Sequence, residues 1–298
     1  FAPGSEAAGV VAQVGEGVTG FKPGDRVVAF SGLGGFAEQA LVPATQIYHA
    51  PDGVSFEALA GLLINYGTSY HALKDRAAMK PGETLLVLGA AGGVGLSAVE
   101  LGALMGAKVI AAASSADKLE LAKSRGASEL INYSTENLRD RIKEITGGKG
   151  VDVVYDPVGG ESTLATIKSL AWGGRHLVIG FAAGDIPNIP ANLLLLKSAS
   201  SMGVLWGMSL RADPVQGAID ILTPLNAALQ LLAQMNAPVI AQVHGAAAGA
   251  GLSLVLMADY VIAAEGTRFN LAYINLGTSC DVGASWALPR IVGVRQAL

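Results

Sequence analysis

The stretch that decides the fold is Thr84 to Gly95, "TLLVLGAAGGVG". Five residues, Thr84 to Leu88, form a continuous apolar run of the kind that fills a strand buried on both faces. The run opens directly into a loop made only of glycine, alanine and one valine, and "LSAVELGALMGA" continues it at helical spacing. Strand, small-residue loop and helix in immediate succession are the context that gives a glycine loop meaning. Small residues let a backbone approach a pyrophosphate, and a helix start offers unbonded N–H groups and partial positive charge. Gly92, Gly93 and Val94 are therefore the expected donors. A tight strand-to-helix turn with no ligand is the plainer alternative, and the surrounding pattern weighs against it.

The next strand carries the choice of cofactor. In an NAD site a carboxylate at its end bonds the ribose hydroxyls. Here "KVIAAASSADK" ends at Ala113 and continues with Ser114 and Ser115, with Lys118 one turn into the next helix. Two hydroxyls and an ammonium can receive a phosphate, so NADPH is expected over NADH. Asp117 counts against this only weakly, because neighbouring helix residues point in different directions. Ser114 could simply cap the helix, and both roles are compatible.

Outward from this core the pattern repeats. "KVIAAA", "SELINY", "VDVVYDPVGG", "GRHLVIGF" and "SASSMGVLW" read as strands, with "SADKLELAKSRGA" and "TENLRDRIKEITGGKG" as intervening helices. That alternation predicts a doubly wound parallel α/β sheet over 65–213. Residues 1–64 read as short strands joined by turns such as "FKPGD", material for a partial β-barrel. Beyond "RADPVQG" the register changes. A helical run, "AIDILTPLNAALQLLAQM", precedes two strands, "APVIAQVHG" and "YVIAAE", that flank a Gly/Ala-rich loop. A boundary is expected at about Pro214, with 214–298 as a third segment.

Totals set further bounds. The 298 residues are 51% hydrophobic and 15% charged, enough apolar content for real cores. A net charge of −4 with scattered Lys and Arg gives no footprint for nucleic acid. The apolar run around "VHGAAAGAGLSLVLMADYVIAA" carries His244 and Asp259 without a basic flank, so it reads as buried strand, loop and helix rather than a membrane span. The single cysteine, Cys280, forbids an internal disulfide and a multi-cysteine zinc site, and fits a reducing cytoplasm. The sequence opens at Phe1 in mid-motif and closes at Leu298 inside a helical pattern, so a domain cut at each end is expected.

"GSEAAGVVAQVGEGVTGFKPGDRVVAF", "GAAGGVG", "VDVVYDPVGG" and "VIGFAAG" together resemble the medium-chain dehydrogenase/reductase superfamily over residues 1 to about 213, and within it the zinc-free quinone oxidoreductase branch. The resemblance implies a partial GroES-like barrel before an NADP-binding Rossmann domain. It implies that Thr68 and Phe181 lie by the nicotinamide, and Lys118 and Tyr133 by the adenosine phosphate. Zinc-dependent members have "GHE" where this chain has Gly4-Ser5-Glu6, and serine is a poor zinc ligand. The implied chemistry is hydride transfer to a quinone or enone, an acceptor already polarised by conjugation. His49, His71 and His176 read as packed or surface histidines, and Asp156 as a turn residue before proline.

"HGAAAGAG", "ADYVIAAE" and "LPRIVG" resemble the crotonase superfamily of acyl-CoA enzymes, from about Val215 to Leu298. The resemblance implies an oxyanion donor at the N–H of Ala250. Ser253 and Tyr273 stand where the hydratase branch has glutamates, so water addition is not expected. "LGTSCDVGASWALPRIVG" is similar to an isomerase branch and makes Asp281 the acid–base candidate, with a helix cap as the even alternative. Three readings follow: an NADPH-dependent reductase, an acyl-CoA isomerase, and a silent fusion of two truncated domains. The sequence is equally compatible with a monomer and a homo-oligomer.

Overall fold

The computed structural model describes residues 2–50 and 53–208, and the backbone of four short strands farther along. Near the amino terminus, β1 (Glu6–Val10), β2 (Arg26–Phe30) and β3 (Ile47–His49) form an antiparallel sheet in that order. The "FKPGD" turn precedes β2. Two helices follow, α1 (Phe56–Leu59) and α2 (Leu62–Tyr70), and α2 runs into a π-helical turn, His71–Arg76.

The wound sheet then begins. Its strands are β4 (Thr84–Leu88), β5 (Lys108–Ala113), β6 (Glu129–Asn132), β7 (Val151–Asp156), β8 (Leu170–Val178) and β9 (Ser200–Gly203). Between them run α3 (Gly93–Leu104), α4 (Ala116–Ser124), α5 (Leu138–Ile145), α6 (Gly160–Lys168) and α7 (Ala191–Leu195). The order across the sheet is β6-β5-β4-β7-β8-β9, with every pairing parallel. The chain winds outward from β4 through β5 to β6, then returns to lay β7 on the other side of β4. That reversal opens a crevice at the carboxyl ends of β4 and β7, where ligands bind in open α/β sheets.

Successive strand residues point to opposite faces, which builds two cores from one run of sequence. Leu85 and Val87 pack with Ala98, Val99 and Leu101 on the α3 side, while Leu86 and Leu88 pack with Ile142 and Ile167 on the α5–α6 side. All four strand residues are fully buried, which is why the sequence of β4 runs apolar rather than alternating.

Glu6 ties the amino-terminal sheet to the rest. Gly61 at the start of α2 offers no side chain to cap it; instead the Glu6 Oε2 accepts from the Ile64 amide at 3.0 Å, so β1 caps α2 across 58 residues of sequence. Residues 1–50 and 55–221 form one compact unit, and 51–54 with 222–298 a second.

In the second unit, β10 (Ile240–Val243) pairs parallel with β12 (Tyr260–Ala263), and β11 (Ala246–Ala248) with β13 (Arg268–Asn270). β10 and β12 fall within the two segments read as strands. Ala250 and Asp281 lie outside the described residues. Among the described residues no helix is long and apolar enough to cross a membrane.

Candidate functional site

At the mouth of the crevice, β4 ends at Leu88 and the chain turns through Gly89, Ala90 and Ala91 into α3. The Gly92 amide donates back to the Gly89 carbonyl at 2.9 Å, closing the turn. Of the three expected donors, Gly92 has therefore committed its own N–H. The first α-helical bond runs from Leu96 to the Gly92 carbonyl at 2.7 Å, so the amides of Gly93 and Val94 lie ahead of the ladder, facing the helix start. Side chains would not fit here. A Cβ on Gly95 would stand 2.2 Å from the Gly89 oxygen, and one on Gly93 2.7 Å from Asn65 Oδ1. Helix, strand and loop approach this closely only because glycine occupies both positions.

At the end of β5, Ser115 rather than Ser114 holds the N-cap position of α4, and its side chain makes no capping bond. The Ser114 hydroxyl accepts from Lys118 Nζ at 3.1 Å. Both hydroxyls and the ammonium thus stand at one strand end with no cap to satisfy. Tyr133 joins them: its amide donates to the carbonyl of Ala113 at 3.2 Å, because β6 lies parallel to β5 with Asn132 opposite Ala113. Ser114, Ser115 and Lys118 from one stretch, and the backbone of Tyr133 from another, thus stand at this end.

Thr68 and Phe181 lie on separate segments, and no contact between them is seen among the described residues. Thr68 is half-buried on α2. Its neighbour Ser69 donates to the Val94 carbonyl at 2.9 Å, which fixes α2 against the start of α3. Phe181 follows β8 and is 40% exposed; its ring edge lies 3.0 Å from where a Gly159 Cβ would be. A Gly89 Cβ, in turn, would sit 3.1 Å from Val158 Cγ2, so the β4 loop, the β7–α6 turn and the segment after β8 form one wall.

Sequence reasoning undervalued the pair that holds these walls, Tyr155 and Asp156. They are consecutive in β7 and so point to opposite faces. On the α3 side, Tyr155 OH lies 2.8 Å from Ser69 Oγ, which is 2.9 Å from Ser97 Oγ. Ser97 reaches the carbonyl of Asn65 at 3.0 Å. Burial pushes the Tyr155 phenol up, well above the usual tyrosine range. On the α6 side, Asp156 Oδ1 accepts from the amides of Val158 and Gly159 at 2.9 and 2.8 Å. Its Oδ2 accepts from Thr163 Oγ1 at 2.6 Å and lies 3.0 Å from His176 Nε2. Burial alone would raise this carboxyl, but His176, the Gly159 amide and the Thr163 hydroxyl together hold it below the ordinary aspartate value. Asp156 is a turn residue, as read, and also the centre of a buried network. His176 is packed, as read, but with both ring nitrogens engaged.

Among the described residues, no group of three or more His, Cys, Asp or Glu is placed to hold a metal. At the "GSE" stretch the Ser5 carbonyl accepts from Gly32 at 3.0 Å and the Glu6 carboxylate is taken up by α2. This donor set does not fit a zinc ion.

Family models match in three places: an alcohol dehydrogenase GroES-like domain at residues 1–52, a zinc-binding dehydrogenase at 93–223, and an enoyl-CoA hydratase/isomerase at 216–298. A quinone oxidoreductase structure from Pseudomonas syringae pv. tomato superposes with a TM-score of 0.69 at 32% identity, over 88% of this chain and 81% of its own. The chain belongs to the medium-chain dehydrogenase/reductase superfamily, among its quinone oxidoreductase-like members. The superfamily also supplies a structure of Escherichia coli quinone oxidoreductase complexed with NADPH, with a TM-score of 0.70 and 32% identity over 80% of this chain and 74% of that one. Among curated relatives, a quinone oxidoreductase-like protein 2 homolog from Nematostella vectensis is 44% identical over 216 residues, 72% of this chain and 59% of the relative. The rat quinone oxidoreductase-like protein 2 is 45% identical over 208 residues, 70% of this chain and again 59% of the relative. The chain therefore spans about three fifths of the length of these curated relatives.

Proposed function

We propose that the first unit holds NADPH and serves hydride transfer to a quinone or another conjugated carbonyl, without catalytic zinc. One observation carries the choice of cofactor: Ser114, Ser115 and Lys118 stand together at the end of β5, with no capping bond to the hydroxyls and no carboxylate in the position of an NAD site. The Gly93 and Val94 amides receive the pyrophosphate, the Ser114–Ser115–Lys118–Tyr133 group the adenosine phosphate, and Thr68 and Phe181 flank the nicotinamide. Bound NADPH supplies the hydride. The chain's own residues bind and orient it, and the acceptor is one whose conjugation lowers its need for polarisation by the protein. The superfamily's NADPH-complexed E. coli relative supports the same cofactor.

Fluorescence titration with NADPH and NADH tests this directly. NADPH should bind saturably and more tightly than NADH. Ser114→Asp should cost NADPH about 100-fold in affinity through charge repulsion at the phosphate while sparing NADH. Equal affinities for the two cofactors in the unsubstituted chain would sink the proposal.

A second reading concerns the enoyl-CoA hydratase/isomerase match at 216–298. There an acyl-CoA ligand, with Ala250 as oxyanion donor and Asp281 as acid–base residue, is the corresponding proposal. Calorimetric titration with an acyl-CoA should give saturable heat, and none would count against it.

A further inference from the structure

The buried chain of hydrogen bonds on the α6 side of the sheet crosses three adjacent strands. Asp156 ends β7, His176 lies in β8 and Ser201 in β9. Parallel register sets Val154 opposite His176, and His176 opposite Ser201. An ionised carboxylate only accepts, so the Nε2 facing Asp156 at 3.0 Å carries the proton. On the other side of the ring, Nδ1 lies 2.9 Å from the Ser201 hydroxyl. These are the residue types of a hydrolytic triad, but the ring is 1% exposed, and no substrate reaches it.

What the chain does reach is the crevice wall. Asp156 spends one oxygen on the Val158 and Gly159 amides and shares the other between Thr163 and His176. The turn it fixes is bonded onward to the segment after β8. The Pro157 and Val158 carbonyls accept from Ala182 and Ala183 at 3.0 and 2.9 Å, and the Gly160 amide donates to the Asp185 carbonyl at 3.1 Å. Phe181 sits within that segment, against Gly159. We propose that His176 is a positioning residue. By orienting Asp156 it holds the β7–α6 turn and, through the turn, the Phe181 wall at the nicotinamide end. The inference rests on the proposed NADPH site and adds to it a residue about one strand removed from the ligand.

The test separates the two ends of the cofactor. In the full chain, dissociation constants are measured for NADPH and for 2′-phospho-ADP-ribose, which lacks the nicotinamide. His176→Leu should weaken NADPH about tenfold, the scale of one lost hydrogen bond to a charged group, and leave 2′-phospho-ADP-ribose within about twofold. His176→Gln, which returns an N–H toward Asp156, should recover most of the loss. Ser201→Ala should give a smaller loss in the same direction, and these two milder variants carry the test if His176→Leu does not fold. Equal weakening of both ligands, or of neither, overturns the proposal. A chain that binds neither ligand before any substitution sinks the NADPH reading instead. Amide exchange at Val158 and Gly159 then decides the positioning role: faster exchange in His176→Leu upholds it, and unchanged exchange overturns it.

Discussion

At Asp156 a single carboxylate accepts four hydrogen bonds in an almost waterless place. Those donors outweigh the cost of burial, so its folded pKa lies below the ordinary aspartate value. The unfolded chain therefore binds this proton more readily than the folded one, and stability rises with pH across the gap between the two values. The contribution is fully present above the unfolded value and is lost as pH falls through the folded one. Asp156→Asn should remove it. The amide would also turn an N–H toward donors that need an acceptor, so a loss of about 3 kcal/mol at neutral pH is expected. Urea unfolding at a series of pH values would show both effects: a lower midpoint at pH 7, and a smaller further drop below about pH 4 than in the unsubstituted chain. A variant as acid-sensitive as the parent would remove Asp156 from this account. The sequence displayed the residue but not its role. "DP" reads locally as a turn, which it is; the partner His176 stands twenty residues away and is brought opposite only by parallel register.

At the scale of elements, β4, the glycine loop and α3 were legible because their signals are local. A continuous apolar run, small residues and helical spacing follow one another without long-range help. Two other features were not legible for the converse reason. The start of α2 has no local cap, and Glu6 supplies one from β1. A helix cap was the alternative role for Ser114, but Ser115 takes the N-cap position of α4, without a capping bond, which local propensity could not resolve within one residue. Among the described glycines, the closest approach is where Gly95 meets Gly89. A methyl group there would lie 2.2 Å from a backbone oxygen that no rotamer change can move. Gly95→Ala should destabilise by about 1–3 kcal/mol, as overpacking does, and should weaken NADPH by shifting the helix start away from the loop. Gly9→Ala is the matched control, since nothing lies within 4 Å of the added Cβ; it should stay within about 0.5 kcal/mol. Denaturation midpoints and cofactor titrations on both variants test the pair, and equal behaviour would mean that the close approach is not limiting.

Across the whole molecule, two independent divisions of the chain fall close together. The two compact units part at Ile221 and Leu222, apart from a short piece at 51–54. The dehydrogenase and hydratase/isomerase family models overlap only at 216–223. The composition change near Pro214 stood out in the sequence because it is a change of pattern, whereas the acceptor's identity did not, because a hydride acceptor is recognised by pocket shape rather than by a motif. Each unit has its own sheets. If the first unit alone holds NADPH, the cofactor acts only on that unit's unfolding. Ligand at about 100 times its Kd adds about 2.7 kcal/mol to a state that binds it. Scanning calorimetry of the full chain should therefore resolve two transitions, one rising with NADPH and one unmoved. An acyl-CoA should reverse the pattern if the 216–298 segment binds it. A single transition that shifts as a whole with NADPH would mean that the units unfold together, and that the segment matched by the hydratase/isomerase model shares its stability with the dinucleotide fold.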